Sequence, residues 1–103
     1  MSQLYAFHCL DGADSPALRE RLLGEHLAHV EAHLADYAVA GPLKEGDVTI
    51  GSLLVIRAVD AQEARARFEA DPYFAAGVWR SVHMSQFLGV AGDWVGGAAW
   101  KQG

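Results

Sequence analysis

Short apolar runs alternate with two amphipathic stretches along the chain, and the alternation predicts the order β-α-β-β-α-β. Residues 3–9 are apolar and aromatic, are bounded by Asp11-Gly12, and read as a first strand. Tyr5, Phe7 and Cys9 would point one way and Leu4, Ala6 and His8 the other. Ser15-Pro16 marks a helix start, with the serine free to cap and the proline tolerated at the first helical position. The helix is expected to run to about Tyr37. Along it, Leu23, Leu27, Val30 and Leu34 form an apolar stripe expected to face the core. His26, His29 and His33 lie on a second arc, roughly 100° away around the helix. Gly24 lowers helix propensity by about 1 kcal/mol and suggests close packing beside His26.

Residues 37–40 predict a short second strand that Gly41-Pro42 ends, and 44–47 a turn. The β-branched run from Thr49 to Val59 predicts the strongest strand. Asp60 and Glu63 have capping-box spacing and open a helix to about Ala70, with Ala61, Ala64 and Phe68 toward the core and Arg65, Arg67 and Glu69 toward water. Asp71-Pro72 breaks that helix, 73–77 can form one short helical turn, and 79–88 read as the last strand. The segment 89–103 is rich in Gly, Ala and Trp without a period, and is expected to be an irregular tail docked by Trp94 and Trp100. Domain organisation is thus one domain over 1–88 and a tail over 89–103. The order is that of the split-βαβ, ferredoxin-like fold, an α+β architecture with a four-stranded antiparallel sheet covered by helices on one face. Apolar residues fall on both faces of that sheet, so the open face needs a partner, and a symmetric homodimer packed sheet on sheet is the natural solution.

Composition narrows the function classes. The chain has 103 residues, 51% of them hydrophobic and 20% charged, an ordinary globular balance for one domain. Its net charge is −5 and its eight Lys and Arg are scattered, so the basic footprint of a nucleic-acid binder is missing and an anionic membrane surface is disfavoured. No apolar run approaches ~18 residues, and the N-terminus lacks the pattern of a signal peptide. The single cysteine, Cys9, fits a reducing cytoplasm and reads as a small buried hydrophobe.

Three of the five histidines sit at spacings of three and four in 26–33. A histidine at the edge of a core can serve as general base or acid when a carboxylate fixes its tautomer. Asp71 is the candidate carboxylate, although an Asp before Pro is also a strong helix cap. His29 and His33 at i, i+4, with His26 one turn earlier, could share a metal, but the pattern is not His-Glu-x-x-His and no second ligand motif accompanies it, so no dedicated metal site is expected. Glycine-rich phosphate loops are absent, Ser52 lacks a nucleophile elbow, and Trp79, Trp94 and Trp100 read as packing anchors.

Four segments together resemble the YciI-like (YCII-related) domain family. Arg19 through His26-Leu27 is similar to its arginine-bearing helix ending in a His-Leu pair. Ala40-Gly41-Pro42-Leu43 matches its Ala-Gly-Pro turn, and Gly51-Ser52 begins the third strand. Asp71-Pro72-Tyr73 with Ala76-Gly77-Val78 matches its Asp-Pro-Tyr…Ala-Gly signature, ahead of a strand ending in Phe87. The resemblance covers the chain to about Phe87 and implies a dimeric α/β barrel with a cleft holding a His–Asp pair, here His26 and Asp71. One branch of the family removes chloride from a chlorinated hydroxyquinol. The family often carries a second arginine where this chain has Leu23, which leaves Arg19 as the candidate for a substrate anion.

Two functional readings follow. The first is a small cytoplasmic, cofactor-free enzyme in which His26, oriented by Asp71, performs acid–base chemistry on a small-molecule substrate, a hydroxylated aromatic ring among the candidates, with Arg19, Gly41, Pro42, Ser52 and Tyr73 lining the substrate site. The second is a non-catalytic ligand-binding or structural homodimer.

Overall fold

The computed structural model describes residues 2–101; Met1 of the expected domain and Gln102 and Gly103 of the expected tail lie outside the described residues. Strand β1 (Gln3–Asp11) is followed by helix α1 (Ser15–Ala32), the hairpin of β2 (Tyr37–Glu45) and β3 (Val48–Ala58), helix α2 (Ala61–Glu69), the short helix α3 (Pro72–Ala75) and strand β4 (Trp79–Phe87). The sheet order is β2-β3-β1-β4 with every neighbouring pair antiparallel, the ferredoxin-like arrangement.

Register sorts the two sheet faces. Tyr5 pairs with Ile56, Phe7 with Leu54 and Met84, and Cys9 with Ser52 and Val82, so these side chains share the face under the helices. There they join Ala64, Phe68, Tyr73, Val78 and Trp79 in the core. Phe68 stacks on Phe7 at 4.3 Å and on Trp79 at 5.2 Å between ring centroids. Leu4, Ala6, Leu53, Val55 and Phe87 fall on the other face, which is also apolar. Gly51 lets β3 approach β1: a Cβ there would lie 2.0 Å from the Cys9 carbonyl oxygen.

Several expectations are corrected. Helix α1 stops at Ala32, not near Tyr37, because His33 leaves the helical region (φ −120, ψ 26) and a 3₁₀ turn, Leu34–Asp36, follows. The α1 leucine stripe does not face the core: Leu23, Leu27 and Leu34 are 49%, 53% and 63% exposed, while Leu18 and Leu22 pack against the core instead. One point of that rotation is fixed at the N-terminus. Ser15 is buried and does not cap; its hydroxyl accepts from the Gly12 N–H (2.8 Å) and donates to the Val78 carbonyl, while Asp14 is the N-cap without a side-chain bond. That contact ties the first turn of α1 to the entry of β4.

Gly24 faces open space, with nothing within 4 Å of a Cβ built there, so it reports no close packing. Gly41-Pro42 does not end β2, which continues to Glu45. Strand β2 is a sheet edge, where a proline without an N–H costs no ladder bond. Ala61 is exposed, whereas Ala64 and Phe68 are buried as expected. In the tail, Ala91–Gly92 (β5) pairs with Gly97–Ala98 (β6), and Trp94 and Trp100 remain 80% and 72% exposed, so they are not the anchors of its docking. No helix among the described residues is long and apolar enough to cross a membrane.

Candidate functional site

Two polar residues of α1, about one and three turns after Ser15, carry the site on the side of the helix that meets the sheet. Arg19 comes first. Its Nε and Nη2 donate to the two oxygens of Asp11 at 2.8 and 2.9 Å, and Nη2 also reaches the Gly51 carbonyl (3.0 Å) and Ser52 Oγ (2.9 Å). Ser52 Oγ accepts a second bond from Trp79 Nε1 at 3.1 Å. With both lone pairs of the hydroxyl engaged, its proton is left to donate.

His26 follows seven residues after Arg19, on the same side of the helix. Its Nδ1 lies 2.9 Å from Oδ1 of Asp71, a carboxylate that is itself buried. Asp71 also caps α3, and the same Oδ1 accepts the Tyr73 N–H at 2.9 Å. Capping and the histidine contact are therefore compatible, as two bonds to one oxygen. Oδ2 is buried and has no hydrogen-bond partner among the described residues. An acceptor-only carboxylate at Nδ1 holds the neutral imidazole as the Nδ1–H tautomer and leaves Nε2 as the acceptor.

Tyr73 stacks flat on the imidazole, with centroids 3.9 Å apart and planes 3° from parallel. The Arg19 guanidinium lies 5.3 Å over the other aromatic partner of this stack, the Tyr73 ring. The Tyr73 hydroxyl donates to the Arg19 carbonyl at 3.3 Å, and burial pushes its phenol above the usual value. Arginine, phenol and imidazole thus form one layered wall.

That wall bounds a cleft of about 510 Å³ between α1 and the edge of the sheet. All of the sequence-nominated residues that line it, Arg19, His26, Gly41, Pro42, Ser52 and Tyr73, are brought together, and Asp71 stands behind His26. The opposite rim comes from β2, where Ala40 and Pro42 face the helix side. Leu23, Leu27 and Val30 supply the apolar side of the cleft, a role the sequence reading missed by turning that stripe inward. Asp11 was missed as well; its only signal was its place at the end of the first strand.

A second cavity of about 420 Å³ lies at the other end of α1, lined by His29, His33, Tyr37 and Arg67 among others. Arg67 is already engaged there with Asp36 and Glu63 at 3.4 Å and with the Arg57 carbonyl. Burial lowers the His29 imidazole and pushes the Tyr37 phenol up to about 12. The His29 and His33 rings are 4.5 Å apart, and among the described residues no group of three or more His, Cys, Asp and Glu side chains is placed to hold a metal ion. Cys9 is buried beneath the cleft, and desolvation raises its thiol to about 12, in keeping with an inert core residue.

A four-stranded antiparallel sheet with helices on one face, carrying a histidine backed by a buried carboxylate at a cleft, defines a ferredoxin-like α+β protein of small-domain type. The chain belongs to the YCII-related domain family, whose model matches residues 3–88. Among solved structures it is similar to 5-chloro-2-hydroxyhydroquinone dehydrochlorinase (TftG) from Burkholderia phenoliruptrix, in complex with 2,5-dihydroxybenzoquinone, at 24% identity and a TM-score of 0.76 over 87% of this chain and 96% of that one. A looser match is SnoaB, a cofactor-independent oxygenase from Streptomyces nogalater, at 18% identity and a TM-score of 0.42 over 85% of this chain and 91% of that one. No curated protein matches the chain.

Proposed function

We propose that this protein is a small cytoplasmic enzyme that performs acid–base chemistry on a small hydroxylated ring compound, using its own side chains and no cofactor. The observation that carries the reading is the 2.9 Å contact of His26 Nδ1 with buried Asp71 Oδ1 in the wall of a cleft. Asp71 fixes the ring, and the Nε2 lone pair accepts a proton from a ligand hydroxyl. The carboxylate behind the ring then offsets the charge the imidazole gains. Ser52, with its lone pairs occupied by Arg19 and Trp79, donates its proton to a ligand oxygen. Gly41 and Pro42 form the far rim, Tyr73 backs His26, and Leu23, Leu27 and Val30 receive the apolar face of a ring.

The unit over 1–88 carries this site, with 89–103 as an appended tail, and the apolar open face of the sheet packs against a second copy in a homodimer. The dehydrochlorinase of like fold guides the choice of compounds. A panel of halogenated and hydroxylated benzenes and quinones is incubated with the protein and with His26→Ala, with substrate loss followed by chromatography. Turnover by the wild type, lost in His26→Ala while the circular dichroism and the sedimentation coefficient stay the same, is expected. Compounds that bind without conversion, or conversion that survives His26→Ala, would replace this reading with a non-catalytic ligand-binding homodimer.

A further inference from the structure

A guanidinium in a ligand cleft invites the expectation of an anionic substrate, and the charge around Arg19 argues the reverse. Its Nε–Nη2 edge faces Asp11, in a two-point pair at 2.8 and 2.9 Å whose side chains are 17% and 8% exposed. Such a fork-to-carboxylate pair, largely withdrawn from water, is a near-neutral unit. Nη2 is further shared between the Gly51 carbonyl and Ser52 Oγ. The face of the guanidinium is taken up by Tyr73. Among the described residues that line the cleft, the only other side chain of fixed charge is Glu20, a carboxylate. Asp71 adds a third carboxylate behind His26. Of the further cations, Arg80 bonds the Asp11 backbone carbonyl, and Lys44 bonds Thr49 Oγ1 at 3.0 Å and the Asp47 carbonyl at the outer rim; neither lines the cleft. One guanidinium, with the Lys44 ammonium at the outer rim, therefore stands against the carboxylates of Asp11, Glu20 and Asp71, on a chain of net charge −5. A bound carboxylate or phosphate would meet net repulsion and would have to compete with Asp11 for the fork.

We propose that the cleft selects uncharged ring ligands over carboxylated or phosphorylated ones, and that Asp11 sets this selectivity by neutralising Arg19. Asp11 does not line the cleft; it acts through the guanidinium and is a positioning residue. The proposal rests on the reading of the cleft as the ligand site.

Resorcinol and 3-hydroxybenzoate make a matched pair of probes, differing by one hydroxyl replaced by a carboxylate. At pH 7 the phenol is uncharged and the carboxylate is ionised. Each is titrated into the full-length protein, into Asp11→Asn and into Asp11→Glu, and the amide resonances of Leu27, Ala40 and Tyr73 are followed by NMR. In the wild type resorcinol is expected to shift these resonances saturably, with 3-hydroxybenzoate binding at least ~10-fold more weakly, a difference of about 1.4 kcal/mol. Asp11→Asn frees the charge while keeping an oxygen acceptor for the fork, and is expected to close or invert that gap with little change for resorcinol. Asp11→Glu keeps the charge and is expected to keep the gap, an outcome that a merely structural role for Asp11 does not produce. If Asp11→Asn does not fold, Asp11→Ser serves in its place, and an Arg19→Gln variant of the wild-type background must then fail to gain the carboxylate. Equal affinities in the wild type, or an unchanged gap in the neutral variants, overturns the selectivity while leaving the cleft as a ligand site. Silence of the three resonances toward both probes in every protein overturns the cleft reading itself.

Discussion

The imidazole of His26 and the ring of Tyr73 lie parallel, 3.9 Å apart, while the backbone N–H of Tyr73 and Nδ1 of His26 meet the same oxygen of Asp71. Ring and backbone of one residue thus fix both the plane of the imidazole and the carboxylate that faces it. Tyr73→Phe keeps the stack and loses only the 3.3 Å bond to the Arg19 carbonyl, so a cost of about 1 kcal/mol is expected. Tyr73→Ala empties a buried ring site and is expected to cost about 3–5 kcal/mol. Urea denaturation of the two variants separates these outcomes, and equal costs would show that the ring does not support the wall.

The contact with Asp71 predicts a tautomer. In the neutral form His26 is expected to carry its proton on Nδ1, which ¹⁵N shifts of the ring report directly. Asp71→Ala removes the acceptor and the α3 cap together; the Nδ1–H preference should fall, and stability should drop by at least the ~1 kcal/mol of a lost cap. An unchanged ring spectrum would separate the histidine from the carboxylate.

Two glycines are expected to respond in opposite directions. Gly51→Ala would place a Cβ 2.0 Å from the Cys9 carbonyl oxygen, a backbone clash at the end of the β1–β3 ladder, and more than about 3 kcal/mol of destabilisation is expected. Gly24→Ala meets nothing within 4 Å on an exposed helix surface and should stabilise by about 1 kcal/mol. Thermal melts of the pair check both signs.

Stability should fall at both ends of the pH range. Burial holds Cys9 at about 12, against 9.0 for a free thiol, and Tyr37 at about 12, against 10.0 for a free phenol. Between pH 9 and 12 the unfolded chain therefore releases protons that the folded chain retains, and stability declines across that window. Below the ordinary imidazole value of 6.5 the unfolded chain takes up a proton at His29 before the folded one does, because burial lowers that imidazole, so stability also declines as pH falls. His29→Gln should flatten the acid limb alone. The Cys9 thiol should resist iodoacetamide at pH 8 until the protein is unfolded.

Much of the plan was legible along the chain because it is written in local chemistry. The split-βαβ order came from runs of β-branched and aromatic residues separated by Gly, Pro and capping residues, and α2 begins at its capping box, with Asp60 accepting the Glu63 N–H at 2.8 Å. Asp71-Pro72 announced α3, and His26 stood out by type and spacing. Asp71 was a candidate carboxylate by its place at the break before Pro72, and family resemblance singled out its pairing with His26; the 2.9 Å contact spans 45 residues, a separation that no local spacing encodes. Tertiary structure alone decided which side of α1 turns inward. Two stripes lie next to each other on that helix, and periodicity defines both without choosing between them. The choice is made by the packing of the whole helix: Ser15 on Val78, Leu18 and Leu22 on the core, Arg19 on Asp11 and Ser52, and His26 on Asp71, which leaves Leu23 and Leu27 to line the cleft. The neutralisation of Arg19 by Asp11 follows from the same rotation, because the two residues meet only once helix and strand have packed.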